Sequence, residues 1–233
     1  MFTSVKHVYR LLKIARTLAR HDALFPLEKA GVARGAVAAA RFLSWRGNND
    51  RPGQRLASAL QELGPTFVKL GQALSTRPDL LGDEVAADLS ELQDHLPAFS
   101  FSDAKRTIEK ELGYSLHDLF ETFDQEPLAA ASIAQVHLAI TNDGSEVAVK
   151  VLRPGVEEAF EADFALFHWL AEMAQRSRPD LRRLKPVEVI ETFRETTRLE
   201  MDLRLEAAAA EEIEKNFAGD TSFRVPGVDW RRT

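Results

Sequence analysis

The chain has 233 residues, 45% of them apolar and 28% charged, enough to bury a sizeable core in one large or two small domains. It has no cysteine, which excludes a disulfide framework and thiolate metal sites and fits a reducing compartment. The net charge is −6, yet residues 1–46 hold nine Lys/Arg against Asp22 and Glu28, so a segment at +7 precedes a body at −13. An acidic body argues against nucleic-acid binding, whereas the basic segment suits an anionic membrane surface.

No apolar run reaches the roughly 18–20 residues that cross a bilayer. Basic residues recur every three or four positions from the start, which makes it a poor secretory signal. The expectation is a cytoplasmic protein, peripheral to the inner (cytoplasmic) membrane. Val5, Val8, Leu11, Leu12, Ala15 and Leu18 predict a helix over 3–20, with Lys6, Arg10, Lys13 and Arg16 between them. Such a helix either lies in a membrane interface or packs on its own domain. Phe25-Pro26 and Gly47–Gly53 read as loops.

A helix is expected from about Arg55 to Leu63, then a break at Gly64 and a second helix led by Pro65. On that second helix Phe67, Leu70 and Leu74 form the apolar stripe; Thr66, Lys69, Gln72 and Thr76 form a polar one. Asp83 can cap a helix running to about Leu92. Ser102 and Asp103 open another, which Gly113 closes. Residues 1–118 therefore read as helical, with a strand at Leu119–Phe123.

From Ala134 to Ile140, a greasier set (Ala134, Val136, Leu138, Ile140) alternates with a more polar one (Ile133, Gln135, His137, Ala139), as on a strand. Asn142-Asp143-Gly144 is hairpin-turn chemistry, since Asn142 and Gly144 tolerate positive φ. The return strand puts Val147, Val149 and Val151 on one side, Ala148 and Lys150 on the other. A lysine buried in such a strand needs an anion beside it. His137 is expected to be simply packed.

Arg153-Pro154-Gly155 ends the strand, and Phe160, Phe164, Phe167 and Leu170 predict a helix over 156–176. A basic stretch broken by Pro179 follows, then one long helix from Val187 to about Phe217, then the start of two edge strands at 224–230. On the long helix Asp202 and Glu206 share a face, and Glu200 lies about 120° round from Glu206. The bland alternative makes Glu200–Arg204 and Arg198–Asp202 surface pairs worth about 0.3–0.5 kcal/mol each.

The Val-Ala-Val-Lys strand after a tight loop resembles the upper lobe of a protein kinase. The three glycine positions of the kinase phosphate loop fall on Ala129, Ala131 and Ala134, its terminal valine on Val136 and its strand lysine on Lys150. With alanine at all three, and with Lys69-Leu70-Gly71-Gln72 followed by Ser75–Leu81, the chain resembles the UbiB family of atypical kinase-like ATPases, which support ubiquinone biosynthesis. The resemblance covers residues 55–230 well and 1–54 poorly.

It implies an α+β fold: an N-terminal helical extension packed on a kinase-like antiparallel sheet with a long helix C and a helical insert. The implied divisions are a basic segment 1–54, a helical extension 55–118 and a kinase-like lobe 119–233. It implies binding of ATP or ADP with Mg2+, contacted by Ala129, Ala130, Ala131, Ser132, Ala134, Val136, Ala148, Lys150 and Gln72. Lys150 would pair with Glu206, and Glu200 or Asp202, of a Glu-x-Asp motif, would face Lys69; these five are the implied catalytic residues. Implied partners are an anionic membrane surface and quinone-pathway lipids or enzymes.

A Cβ at the glycine positions restricts backbone approach to phosphate, which predicts altered phosphate geometry; the family resemblance implies that the preference is for ADP. No catalytic-loop Asp or Asp-Phe-Gly segment follows Val228, so this polypeptide alone is expected not to turn over ATP. The competing reading is a non-catalytic helical scaffold or peripheral membrane module that retains a kinase-like sheet.

Overall fold

The structure is a computed structural model that describes residues 2–25, 50–92 and 97–233. The loop expectations at Pro26 and over 47–49 lie outside the described residues. Contacts divide the chain into two units, Met1–Pro97 and Ala98–Thr233, so the expected boundary at 118 falls inside the second.

The first unit contains α1 (Phe2–Arg20), α2 (Pro52–Leu63), α3 (Pro65–Ser75), α4 (Pro78–Leu81) and α5 (Asp83–Ser90) among its described residues. α2 begins three residues before the expected Arg55, because Pro52 occupies its first turn and the Gln54 side chain accepts from the Arg51 N–H at 3.1 Å. Gly64, at φ +110°, makes the corner to Pro65.

Leu56, Ala59, Leu60 and Leu63 of α2 are buried, as are Phe67 and Val68 of α3 and Val85, Ala86 and Leu89 of α5. On α3 the buried face is Thr66, Phe67, Val68 and Gly71, not the expected Phe67, Leu70 and Leu74. Gly71 explains the rotation: a Cβ there would lie 2.5 Å from Leu92 Cδ1 and 2.8 Å from Leu60 Cδ1, so α3 turns its bare edge to the packed side. Asp83 is the first residue of α5 and Gly82 is its cap; the helix stops at Ser90, short of Leu92.

α1 packs through Thr17, Leu18 and Ala19. Glu62 receives Arg20 at 2.5 Å and His21 at 2.9 Å, and Arg10 donates to the Leu63 carbonyl and sits over the Phe67 ring. No helix among the described residues is long and apolar enough to cross a membrane.

The second unit opens with α6 (Phe101–Leu112), capped by Ser100, not Ser102; its hydroxyl accepts from the Asp103 N–H. Then come α7 (Leu116–Leu119), β1 (Phe120–Phe123), β2 (Ala129–Ala130), β3 (Ala134–Thr141) and β4 (Glu146–Leu152). β3 pairs antiparallel with the other three. β4 runs along nearly its whole length, so β1 and β2 share the opposite edge end to end. The β3–β4 turn closes with Gly144 N–H to the Thr141 carbonyl at 2.8 Å; Gly144 (φ +83°) takes the positive φ there and Asn142 does not.

The polarity of β3 is inverted relative to expectation. Gln135, His137, Ala139 and Thr141 are buried, while Leu138 is 44% exposed and Val136 and Ile140 are half-buried. Two bonding patterns with backbone from elsewhere in the chain make the polar face an interior one. The Gln135 amide spans the Phe99 backbone, accepting its N–H at 3.0 Å and donating to its carbonyl at 3.4 Å. His137 lies 2.7 Å from the Asp124 carbonyl through Nδ1 and 2.8 Å from the Gln135 amide nitrogen through Nε2. A carbonyl only accepts, so Nδ1 carries the proton and Nε2 accepts from Gln135. Around them Ile108, Leu116, Leu119, Phe120, Ala139 and Val151 form a core that joins α6 to this face of the sheet.

α8 (Val156–Ser177) follows, then a 3-10 turn (Pro179–Leu184). The expected single long helix is two: α9 (Pro186–Met201) and α10 (Leu203–Asn216), interrupted at Asp202. Asp202 has left helical geometry (φ −84°, ψ 90°), and its carboxylate caps α10 by accepting from the Arg204 N–H at 3.1 Å. Residues 224–230 form no edge strands; Trp230–Arg232 is a 3-10 turn, with Arg232 donating to the Leu119 carbonyl at 3.1 Å.

Candidate functional site

The outward face of the sheet carries Val136 and Leu138 of β3 and Ala148 and Lys150 of β4, with Val136 opposite Lys150 and Leu138 opposite Ala148. Lys150 Nζ meets Glu206 Oε1 at 2.9 Å and Oε2 at 2.6 Å. Neither group is buried; the Lys150 side chain is 38% exposed and that of Glu206 is 59% exposed. An ammonium is thus held by one carboxylate at the edge of an open, mostly apolar floor. Such a surface can take a flat apolar ring against Val136 and Ala148 and an anion beside Lys150.

Beside Lys150 the alanine loop is a tight hairpin. Ala129 pairs with Val136 and Ala130 with Gln135. Inside the turn the Ala131 N–H donates to the Ala134 carbonyl at 2.8 Å, so this backbone donor is used within the protein. Ser132 and Ala134 are buried, whereas Ala129 is exposed and Ala130 and Ala131 are half-buried. Of the expected loop contacts, these three alanines form the accessible part. Ala134 joins Ile133, Val156, Phe160, Phe164 and Met201 in a second core beneath the loop.

Arg153 is a residue that the sequence reading missed. Its guanidinium donates to the Ala131 and Ser132 carbonyls, each at 3.4 Å, and lies over the Phe99 ring at 5.3 Å. Its backbone N–H holds the Ile133 carbonyl at 2.8 Å. Burial pushes its pKa down from the ordinary arginine value. The available signal was its place, three residues after Lys150 and directly before Pro154-Gly155.

The break at Asp202 separates the three expected carboxylates. Glu200 is on α9, Asp202 is a cap, and only Glu206 is on α10. The i, i+4 spacing considered for Glu200–Arg204 and Arg198–Asp202 assumed one unbroken helix, and the break at Asp202 removes that regular geometry. Arg198 meets Glu161 of α8 at 2.7 Å, and Arg194 binds the other oxygen of the same carboxylate. The hydrogen bond from Arg194, opposed by partial burial and reinforced by Arg198, holds Glu161 below the ordinary carboxylate range.

Lys69 and Gln72 lie on α3 of the first unit, where the Gln72 amide donates to the Leu92 carbonyl at 2.9 Å. Among the described residues no group of three or more His, Cys, Asp or Glu side chains is placed to hold a metal ion.

Comparison with known proteins places these features in a family context. The model of the ABC1 atypical kinase-like domain matches residues 91–233. "Probable protein kinase UbiB" of Cellvibrio japonicus is 40% identical over 226 residues, covering 96% of this chain and 41% of that protein. Its counterpart in Pseudomonas aeruginosa strain LESB58 is 42% identical over 229 residues, covering 96% and 43%. The chain therefore spans about two fifths of the length of these relatives. A solved structure described as the complex of Rv3197 with erythromycin from Mycobacterium tuberculosis is 33% identical, covers 84% of this chain and 48% of that one, and has a TM-score of 0.47.

Proposed function

The chain belongs to the ABC1 atypical kinase-like family of the UbiB type, and from that premise we propose that it carries the adenine-nucleotide half-site of a kinase-like ATPase supporting ubiquinone biosynthesis. The observation that carries this reading is the two-oxygen contact of Glu206 with Lys150 beside the alanine hairpin. In kinases a strand lysine held by a helix carboxylate meets the α- and β-phosphates. Here the Lys150 ammonium would take that place, Val136 and Ala148 would take the base, and Ala129–Ala131 would border the phosphates.

Two further assignments belong to the same proposal and rest on the family likeness. That likeness gives Lys69, Glu200 and Asp202 catalytic roles and gives Gln72 a role in nucleotide binding. Mg2+ would arrive with the nucleotide. The acting protein would sit at the cytoplasmic side of a membrane, near quinone-pathway lipids or enzymes.

The alanine hairpin supports a preference for ADP over ATP. Its Ala131 N–H is spent on Ala134, and the Cβ groups keep the backbone from closing over a third phosphate. Calorimetric titration of Mg-ADP and Mg-ATP into the protein tests the core of the proposal. Heat of binding that disappears in Lys150→Met is expected; equal binding by the variant, or none by the parent chain, overturns it.

A further inference from the structure

α1 has two apolar faces, and packing within its unit uses only one. The inner face is the Thr17–Ala19 end, with Arg10 laid over Phe67. The outer face carries Val5, Val8, Tyr9 and Leu12, which are 66%, 49%, 73% and 64% exposed. At 100° per residue these four fall within about 100° of one another, a continuous stripe along two turns.

The charges around that stripe all have one sign. Lys6 and Lys13 run along one edge, both exposed, and Arg16 continues the line of the stripe one turn on. Between Phe2 and Arg20 there is no acidic residue at all, although the rest of the chain is strongly acidic. An apolar ridge edged by cations fits a surface whose anions lie beside hydrocarbon, and tyrosine suits such a boundary because its ring and hydroxyl favour opposite sides of it. A second copy of the chain would set one row of cations against another.

We propose that α1 docks the first unit on an anionic lipid bilayer, with Val5, Val8, Tyr9 and Leu12 in the headgroup boundary and Lys6, Lys13 and Arg16 on the lipid phosphates. This deepens the membrane placement proposed above by naming the surface responsible. It shares no residue with the nucleotide half-site. The helix lies in the plane of the membrane and does not cross it. Its Glu62 contacts at Arg20 and His21 tie the docked helix to α2.

The test is co-sedimentation with phosphatidylcholine vesicles, with and without phosphatidylglycerol. Binding to the anionic vesicles alone is expected, falling about tenfold or more in Tyr9→Ser/Leu12→Gln. A loss of about fivefold per lysine is expected in Lys6→Gln and Lys13→Gln, with a smaller loss at high salt. Circular dichroism checks that the variants, all at exposed positions, keep the parent melting curve. Equal binding by the Tyr9→Ser/Leu12→Gln variant overturns the proposal. So does absence of vesicle binding, including the case where the stripe instead drives a concentration-dependent dimer in sedimentation velocity. Lys150→Met binds vesicles like the parent chain, so a failure of nucleotide binding leaves this result readable on its own.

Discussion

Glu206 closes on Lys150 from 56 residues further along the chain, and it does so from a helix with no buried residue of its own. The pair is therefore one of the ties that place α10 against the sheet. It is also a surface pair in energy, because both groups are more than a third exposed and well solvated.

Glu206→Gln should accordingly leave stability nearly unchanged, by less than about 1 kcal/mol, while nucleotide binding weakens severely. Urea denaturation and calorimetry, run in parallel, separate the two. A variant that loses several times that stability would mean that the pair is part of the fold's support and not a ligand site.

The loop offers a second handle. Ala131→Gly should narrow the preference between ADP and ATP by allowing the backbone to close on the third phosphate, whereas Arg153→Lys should loosen the hairpin by removing the planar fork that spans two carbonyls. Competition titration gives the affinity ratio for each. If neither variant moves the ratio, the loop does not set nucleotide choice.

Two glycines make opposite-sized demands on the first unit. A Cβ on Gly53 would fall 2.4 Å from the Asp88 Cβ, an atom close to the backbone, so Gly53→Ala should cost about 2–3 kcal/mol. Gly71→Ala meets only the tips of Leu60 and Leu92 and should cost about 1 kcal/mol. Chemical denaturation ranks them; the reverse order would mean that α2 and α5 separate more easily than α3 can shift.

Glu161 supplies a pH signature. Its folded pKa lies below the ordinary carboxylate range, so its contribution is present above the unfolded value, about 4.3, and is lost as pH falls through the folded one. Glu161→Gln should destabilise at neutral pH by less than about 1 kcal/mol, given its partial exposure, and the gap should close in acid. Melting curves at pH 7 and at about pH 3 decide it. A gap of the same size at both would assign the loss to packing.

What the sequence revealed depended on the range of the forces involved. The Val147, Val149, Val151 alternation and the Gly144 turn are local, and both were legible. So was the lysine's need for a carboxylate, though not its exposure. The inward turn of Gln135 and His137 was hidden, because polar side chains become interior only once Phe99 and Asp124, remote in sequence, offer their backbones. The break in the long helix had a local sign, an aspartate able to cap at position 202. Helical periodicity runs through it on both sides, and the pull of Glu161 on Arg194 and Arg198, which fixes α9 to α8, comes from 33 and 37 residues away.

That break divides the carboxylate-bearing stretch into two segments held by different partners. α9 is bolted to α8 by two arginines sharing Glu161, whereas α10 starts afresh from the Asp202 cap. Glu206, one turn beyond that cap, is therefore placed by α10, whereas Glu200 is placed by α9. Grip on the ammonium and the position of Glu200 are thereby set by different helices, so a change confined to α10 can release Lys150 while α9 keeps its hold on α8.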